Sequence, residues 1–427
     1  MVHIKKFEVE DWMDTHETWA KHNLAETCCA SLSLQDLLDL SKPTSSSPST
    51  TTTSTSTSTS PACERTLINF TAPQTYGAIR GSPTLRSRIA DLYNSSALSE
   101  ENILVTNGAI QANFLALYTL IKPGDHVIVQ YPTYQQLYSV PESLGAEVSL
   151  WKWKRSAGQA DGGAGFDLDE LRALVKNNTR MIVLNNPQNP TGAVLPKSIL
   201  EEIVTLARRH NILIHCDEVY RPLFHSLPPD AGPSPPPSIL EMGYDNVLAT
   251  GSLSKAFSLA GVRVGWIATP NKEILEDCAS SRHYTMISLS QLDDGVAAFT
   301  LAKPTVGNLL NRNVELAKKN LALLAEFVGE FEGFVHWVKP QAGTTAFLAF
   351  RTRSGEPVDD EEFCNRLQKT KGVMLVPGSK CFGGGEDFRG YVRVGFVPEH
   401  NVMVEGLQAL REFMVEEYHN VPAAAAH

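Results

Sequence analysis

MIVLNNPQNPTGAVLPKSILEEIVTLARRHNILIHCDEVY, residues 181–220, holds two short apolar runs, MIVL and ILIHC, on either side of a charged segment. Within KSILEEIVTLARRH the apolar residues recur every three or four positions, which predicts an amphipathic helix. Strand, helix, strand in that order predicts two parallel strands joined by a helical crossover. The alternation continues outward. RSRIADLYNSS and AIQANFLALYTLI read as helices, and HVIVQYP, VLATGS and VRVGWIAT as strands. Strands that are apolar throughout are buried on both faces, so the predicted fold class is α/β, a mostly parallel central sheet covered by helices. In such sheets ligands gather beyond the carboxyl ends of the strands.

From about residue 305 the texture changes to a long helix, VGNLLNRNVELAKKNLALLAEFVGEF, shorter strands (TAFLAF, VMLVPG, YVRVGF) and a final helix. That predicts a smaller α+β domain over 306–427 beside a large domain over 76–305. Residues 1–75 read as an N-terminal arm of two helical pieces joining the small domain. The arm contains a Ser/Thr-rich tract, 41–61, that has nothing apolar to bury and is expected to be a disordered loop. Two further insert-like loops are expected at 155–165 and 226–238, and CFGGGEDF (381–388) as a flexible loop.

The chain has 427 residues, 42% of them hydrophobic and 20% charged, which suits two or three domains with a sizeable core. Its net charge of −10, with no basic cluster, argues against a nucleic-acid or anionic-membrane partner. Seven cysteines show no CxxC and no metal-ligand spacing, so reduced thiols and no metal are expected. The adjacent Cys28 and Cys29 read as part of an apolar helix face. MVHIKKFEVEDWMD mixes charge with aromatics, unlike a signal peptide, and no apolar run approaches the roughly 18 residues of a membrane span. A cytoplasmic protein is expected.

Chemistry-bearing residues fall at predicted strand ends. Asp217 follows ILIHC, with Tyr220 three residues on, and Asn189 sits in a proline-bounded loop after MIVL. Ser252 and Lys255 follow VLAT, and Tyr134 follows HVIVQ. In TNGAIQA a loop enters a helix at Gly108, Ala109 and Ile110, where free backbone N–H groups can face an anion. Singly, SLSK and NPTG are turn sequences, and a carboxylate after a strand is commonly a cap. Together they supply an amine, a carboxylate, a phenol, an amide, an aromatic face and an anion cradle. Those are the parts that hold pyridoxal 5′-phosphate. Arg263, eight residues after Lys255, is charge-matched to its phosphate.

The motifs also resemble, in order and over about residues 76–415, the class I/II aminotransferase family of fold-type I pyridoxal-phosphate enzymes. The resemblance lies in YGAIRGSPTLRSRIA, NPTG, DEVY, SLSKAFSLAGVRVGW and YVRVGF. It implies that Lys255 is the Schiff-base lysine and proton shuttle, its amine neutral enough to attack an aldehyde. It implies that Asp217 pairs with the ring nitrogen, and that Asn189 and Tyr220 hydrogen-bond the phenolic oxygen. Tyr134 would stack on the ring. Gly108, Ala109, Ile110, Ser252 and Arg263 would hold the phosphate, helped by Tyr76 of a second subunit in a homodimer. Arg393 would clamp the substrate α-carboxylate, with Asn189 beside it.

The resemblance implies an enzyme acting at Cα of an amino acid, by default an aminotransferase. In place of the family's usual apolar, glycine-containing strip over the substrate stands NLAETCCASLSLQDLL, which looks more like the amino-acid-cyclising and eliminating branches of secondary metabolism. A carbon–sulfur β-lyase or a cyclase therefore stays open as the alternative. A pyridoxal-phosphate-binding regulator is a remoter one, since residues 1–75 hold no basic recognition helix. No second arginine for a dicarboxylic side chain stands out.

Overall fold

The computed structural model describes residues 4–42, 67–68, 70–155, 164–229 and 234–425. Most of the Ser/Thr-rich tract (43–61), Cys63 and the middles of the two expected inserts (156–163 and 230–233) lie outside the described residues.

Among the described residues the central sheet has eight strands: β1 (Ile103–Thr106), β2 (His126–Tyr131), β3 (Glu147–Arg155), β4 (Ala164–Phe166), β5 (Thr179–Asn185), β6 (Leu213–Asp217), β7 (Val247–Ser252) and β8 (Gly265–Ala268). Their spatial order is β1-β8-β7-β6-β5-β2-β3-β4. From β7 to β3 every neighbour is parallel, whereas β8 runs antiparallel to β7 and β1, and β4 antiparallel to β3. The expected crossover is present: β5 leads through helix Lys197–His210 to β6, and the two strands pair from Met181 with Leu213 to Asn185 with Asp217. Strands β1, β3 and β4 have no counterpart in the sequence reading, and β4 begins inside the insert expected at 155–165.

Alternate strand residues supply two cores, because successive side chains of a strand point to opposite faces. Ile182, Leu184, Ile214 and Cys216 join one apolar cluster, and Met181, Val183 and Leu213 join the other. Both faces are thus covered, which is why these strands carry no polar alternation. The register sets Asn185, Asp217 and Thr250 side by side at the carboxyl ends of β5, β6 and β7.

Beyond helix Thr305–Glu330, a smaller antiparallel sheet takes the order Val335–Trp337, Thr345–Phe350, Tyr391–Gly395, Val376–Pro377. The N-terminal arm has the two expected helices, Glu8–His16 and Leu34–Leu40. Between them the chain is extended. His22–Asn23 pairs with Val373–Met374, and the next residues run between the two sheets. Leu24 O accepts from Gly395 N (2.7 Å), Cys29 N donates to Lys255 O (3.2 Å), and Ala30 N to Val397 O (2.8 Å). Only glycine fits at 395: a Cβ there would lie 1.8 Å from Glu26 O. The helical reading of Cys28–Cys29 is therefore corrected. Both thiols are buried because the strand-like segment is sandwiched, not because a helix face is apolar.

Candidate active site

A cavity of about 530 Å³ opens where the carboxyl ends of β5, β6 and β7 meet the N-terminal arm and strand Tyr391–Gly395. Of the sequence-predicted residues, Ala109, Ile110, Tyr134, Asn189, Asp217, Tyr220, Ser252, Lys255, Arg263 and Arg393 line it. Gly108 stands just behind Arg263. Tyr76 does not join them: within one subunit it is 81% exposed and lines a separate surface depression with Asn107 and Ile287.

Asp217 ends β6, buried, and accepts from Asn113 Nδ2 (2.9 Å) and from the Val219 N–H (3.0 Å). Burial raises its pKa to about 6, against the pull of those two hydrogen bonds and of Lys255. Asn113 Oδ1 in turn accepts from Thr250 Oγ1 (2.6 Å) and faces His215 Nε2 at 3.1 Å. Burial lowers His215 to about 3, so its ring is neutral, and its Nδ1 has no partner among the described residues. The proton therefore sits on Nε2 and is donated to Asn113. His215, Asn113 and Asp217 form a chain of donors that all point toward the carboxylate.

The sequence reading missed this chain. Its signals were an asparagine in the otherwise apolar helix Gly108–Leu120, and a histidine two residues before Asp217 on the same strand face. Asn185 was missed too. It bonds Asp217 O through Nδ2 (3.1 Å) and accepts the Asn189 N–H on Oδ1 (2.7 Å), which fixes the NPTG loop.

At the other wall, Arg263 occupies a left-handed backbone position (φ 55°) and donates to Ser254 Oγ (3.3 Å) and Ala260 O (2.7 Å). Ser252 Oγ bonds Ser254 Oγ (2.8 Å). Arg263 lies over Gly108, the first residue of helix Gly108–Leu120 (φ 80°), where a Cβ would come within 2.4 Å of Nη2. The bare glycine backbone leaves the helix N-terminus, the serines and the guanidinium around one space, and no carboxylate pairs with Arg263 among the described residues. Such a set fits a phosphate.

Lys255 Nζ donates to Thr27 Oγ1 (2.6 Å) and lies 3.3 Å from Cys28 Sγ and 3.7 Å from Glu26 Oε1. Burial opposes its charge, but Cys28, Glu26 and Tyr220 outweigh burial and carry its pKa above the ordinary lysine value. Cys28 is itself raised to about 11 by burial, so at neutral pH its thiol is uncharged and Glu26 is the counter-ion. Burial pushes Glu26 up, yet the Lys255 ammonium and hydrogen bonds from Cys28 and Thr27 take it down to about 2. The neighbouring Glu26 carboxylate thus favours the charged amine in the chain by itself, whereas attack on an aldehyde requires the neutral one. The arm sets a carboxylate beside the lysine, and nothing in the motif SLSK announces it.

Arg393, 3% exposed, donates to Ala25 O (3.0 Å) and Asn189 Oδ1 (3.4 Å), and its Nε has no partner among the described residues. A buried guanidinium without a carboxylate is a seat for an anion. Tyr134 packs on Phe7 with ring centroids 4.8 Å apart, and its hydroxyl donates to Glu10 Oε1 (2.5 Å). Burial raises the phenols of both Tyr134 and Tyr220.

Comparison with known proteins identifies the family and the fold. Residues 50–410 match the family model for class I and II aminotransferases. The chain is similar to capreomycidine synthase of Streptomyces vinaceus, 32% identical over 73% of this chain and 74% of the relative. It is also similar to an aspartate aminotransferase of Pyrococcus horikoshii, 26% identical over 79% and 82% of the two chains. Among solved structures, a pyridoxal-phosphate-dependent aminotransferase from Streptococcus suis superposes with a TM-score of 0.81 at 38% identity, covering 96% of this chain and 98% of that one. The fold is that of fold-type I pyridoxal-phosphate enzymes.

Proposed function

This chain belongs to the class I and II aminotransferase family, whose cofactor is pyridoxal 5′-phosphate, and on that premise we propose that it transfers the amino group of an amino acid to a 2-oxo acid. The observation that carries this is one cavity holding a lysine, a donor-supported buried carboxylate, a phosphate-fitting wall and a buried unpaired arginine. Arg263, Ser252 and the N–H groups of Ala109 and Ile110 would hold the phosphate. Asp217 would face the ring nitrogen, Tyr134 the ring, and Asn189 and Tyr220 the phenolic oxygen. Bound there, the cofactor supplies a ring that stabilises negative charge at the amino acid's Cα.

The chain's own groups do the rest. Arg393 orients the substrate by its α-carboxylate, with Asn189 steadying the guanidinium. Lys255 Nζ takes the proton from Cα and returns it elsewhere, while Thr27 Oγ1 holds that amine between transfers. The His215–Asn113 chain keeps Asp217 in place beside a cationic partner, which would remove the cost of its buried charge. A homodimer belongs to the same proposal, since Tyr76 and Tyr284 are widely exposed and the family role of Tyr76 needs a second subunit. So does the division into an arm, a large domain over 76–305 and a small domain over 306–427.

A cyclase or β-lyase is the second reading, favoured by the arm: Glu26, Thr27 and Cys28 put acid–base groups beside Lys255 that a plain transfer does not need. Mass spectrometry after incubation with an amino-acid panel and 2-oxo acids separates the readings. A new oxo acid and amino acid support transfer; pyruvate with ammonia and a thiol supports the lyase, and a product lacking only water the cyclase. Lys255→Ala should abolish product and the visible absorption of lysine-bound cofactor. Retention of that absorption would overturn the site assignment.

A further inference from the structure

Four carboxylates line the cavity, Glu10, Glu17, Glu26 and Asp217, against three cations, Lys255, Arg263 and Arg393. In the proposed reaction every cation is engaged, Arg263 by the phosphate, Arg393 by the α-carboxylate, and Lys255 by the cofactor and the proton at Cα. Asp217 is likewise taken by the ring nitrogen. Three carboxylates remain. Among the described residues, neither Glu10 nor Glu17 makes an ion pair, and the one cation paired with Glu26 is Lys255, at 3.7 Å. The hydrogen bond that Glu10 accepts from Tyr134 does not neutralise it.

Glu26 is also held in place. Its Oε1 accepts the backbone N–H of Thr27 (2.5 Å) and of Cys28 (2.8 Å), and Thr27 O accepts from Thr344 Oγ1 (2.7 Å). Burial opposes its charge, while the Lys255 ammonium and these two N–H donors favour it. Once Lys255 is engaged, a carboxylate held by two N–H donors is left on the wall, and no other cation among the described residues pairs with it. Arg393 gives an independent pointer to a ligand: it is 3% exposed, its Nε is unpartnered, and it donates to the carbonyl of Ala25, one residue from Glu26. The anion seat and the spare carboxylate therefore share one stretch of chain.

Resting on the proposed reaction, we infer that the substrate is an amino acid with a cationic side chain, an amine or a guanidine, and that Glu26, with Glu10 on helix Glu8–His16 and Glu17 just after it, selects it. A cationic side chain fills the place that Lys255 leaves beside Glu26. A neutral one leaves that carboxylate unpaired, and an acidic one faces three like charges with no free arginine in the cavity wall.

The test uses the holoenzyme with arginine, lysine and ornithine against citrulline, norleucine and glutamate. It also uses calorimetric binding of α-methylornithine and α-methylnorvaline, whose α-methyl group replaces the proton to be removed. Basic amino acids should give the highest kcat/KM, and α-methylornithine should bind about ten- to a hundredfold more tightly than α-methylnorvaline. Glu26→Gln, which keeps an acceptor for both backbone N–H groups, should erase most of that difference and raise KM for arginine more than it lowers kcat. Glu17→Gln, on an exposed side chain, should remove a smaller part and leave folding untouched. Preference for norleucine or glutamate, or an undiminished preference for arginine in Glu26→Gln, overturns the assignment of Glu26 and leaves the proposed reaction standing. Absence of binding or turnover with every amino acid overturns the proposed reaction, and the substrate class with it.

Discussion

Replacing Asp217 by asparagine should stabilise the cofactor-free chain at neutral pH while destroying its activity. The Asp217 carboxyl is buried and titrates at about 6, against 3.8 for an ordinary aspartate. Because the folded value is the higher, the folded state keeps its proton longer than the unfolded one. The stability this proton contributes is fully present below the unfolded value and is lost as pH rises through the folded one. The gap is about two pH units, and at about 1.4 kcal/mol each the whole change is about 3 kcal/mol. About 2 kcal/mol of it falls between pH 4.5 and pH 8. An asparagine does not titrate, so the variant should gain that amount on the wild type across the interval. Any fixed cost of seating the amide against Asn113 shifts the curve without tilting it. His215 also titrates differently in the two states, but it is common to both proteins and cancels. Urea melts followed by the buried Trp151 and Trp266 read the effect as about 0.7 M in midpoint at a slope of about 3 kcal/mol per M. A difference between the two proteins that is flat with pH, or that shrinks as pH rises, would refute the account of Asp217 as a buried charge waiting for a cationic partner.

Arg263→Asn should weaken the cofactor's apparent affinity about ten- to a hundredfold, the value of one or two charge-assisted hydrogen bonds, as read by absorbance titration of stripped protein. Asparagine is the proper replacement because the backbone there is left-handed at φ 55°, where alanine would add strain of its own; an unchanged affinity would mean the phosphate lies elsewhere. Asn113→Leu leaves the His215 N–H and the Thr250 hydroxyl without an acceptor and takes a donor from Asp217. It should cost about 3–5 kcal/mol in the same urea melts and move the Asp217 titration to a higher pH; a variant with wild-type stability would mean that the chain of donors is not formed.

The sheet was legible because its strands carry one unambiguous signal. MIVL and ILIHC are apolar without alternation, and the helix between them has a clean period, so the two-faced burial could be read directly. The residues of the phosphate wall and of Asp217 were legible because each sits at a strand end, where turn chemistry leaves a mark. Strands β1 and β3 were not, since ILVT is four residues long and EVSLWKWKR alternates like a solvated edge. Asn113 and His215 are interior polar groups within regular elements, and a sequence does not show that two such residues from different elements meet.

The arm was the least legible part, and the reason bears on what the enzyme does. Ala25 to Cys28 have no period to read, because their conformation is fixed by partners hundreds of residues away: Gly395, whose missing Cβ admits the Glu26 carbonyl, and Thr344, which bonds the Thr27 carbonyl. The motifs that define the cofactor site come from the central sheet and its loops, and they serve any reaction at Cα. What stands opposite them on the substrate side comes from this arm, which sets a carboxylate, a hydroxyl and a thiol within 4 Å of the Lys255 amine. Cofactor chemistry is thus written in contiguous motifs. On the proposed reading, choice of substrate and of bond falls to a segment positioned by tertiary contacts, so it is there, at Glu26, Thr27 and Cys28, that substitutions should change specificity without loss of the cofactor.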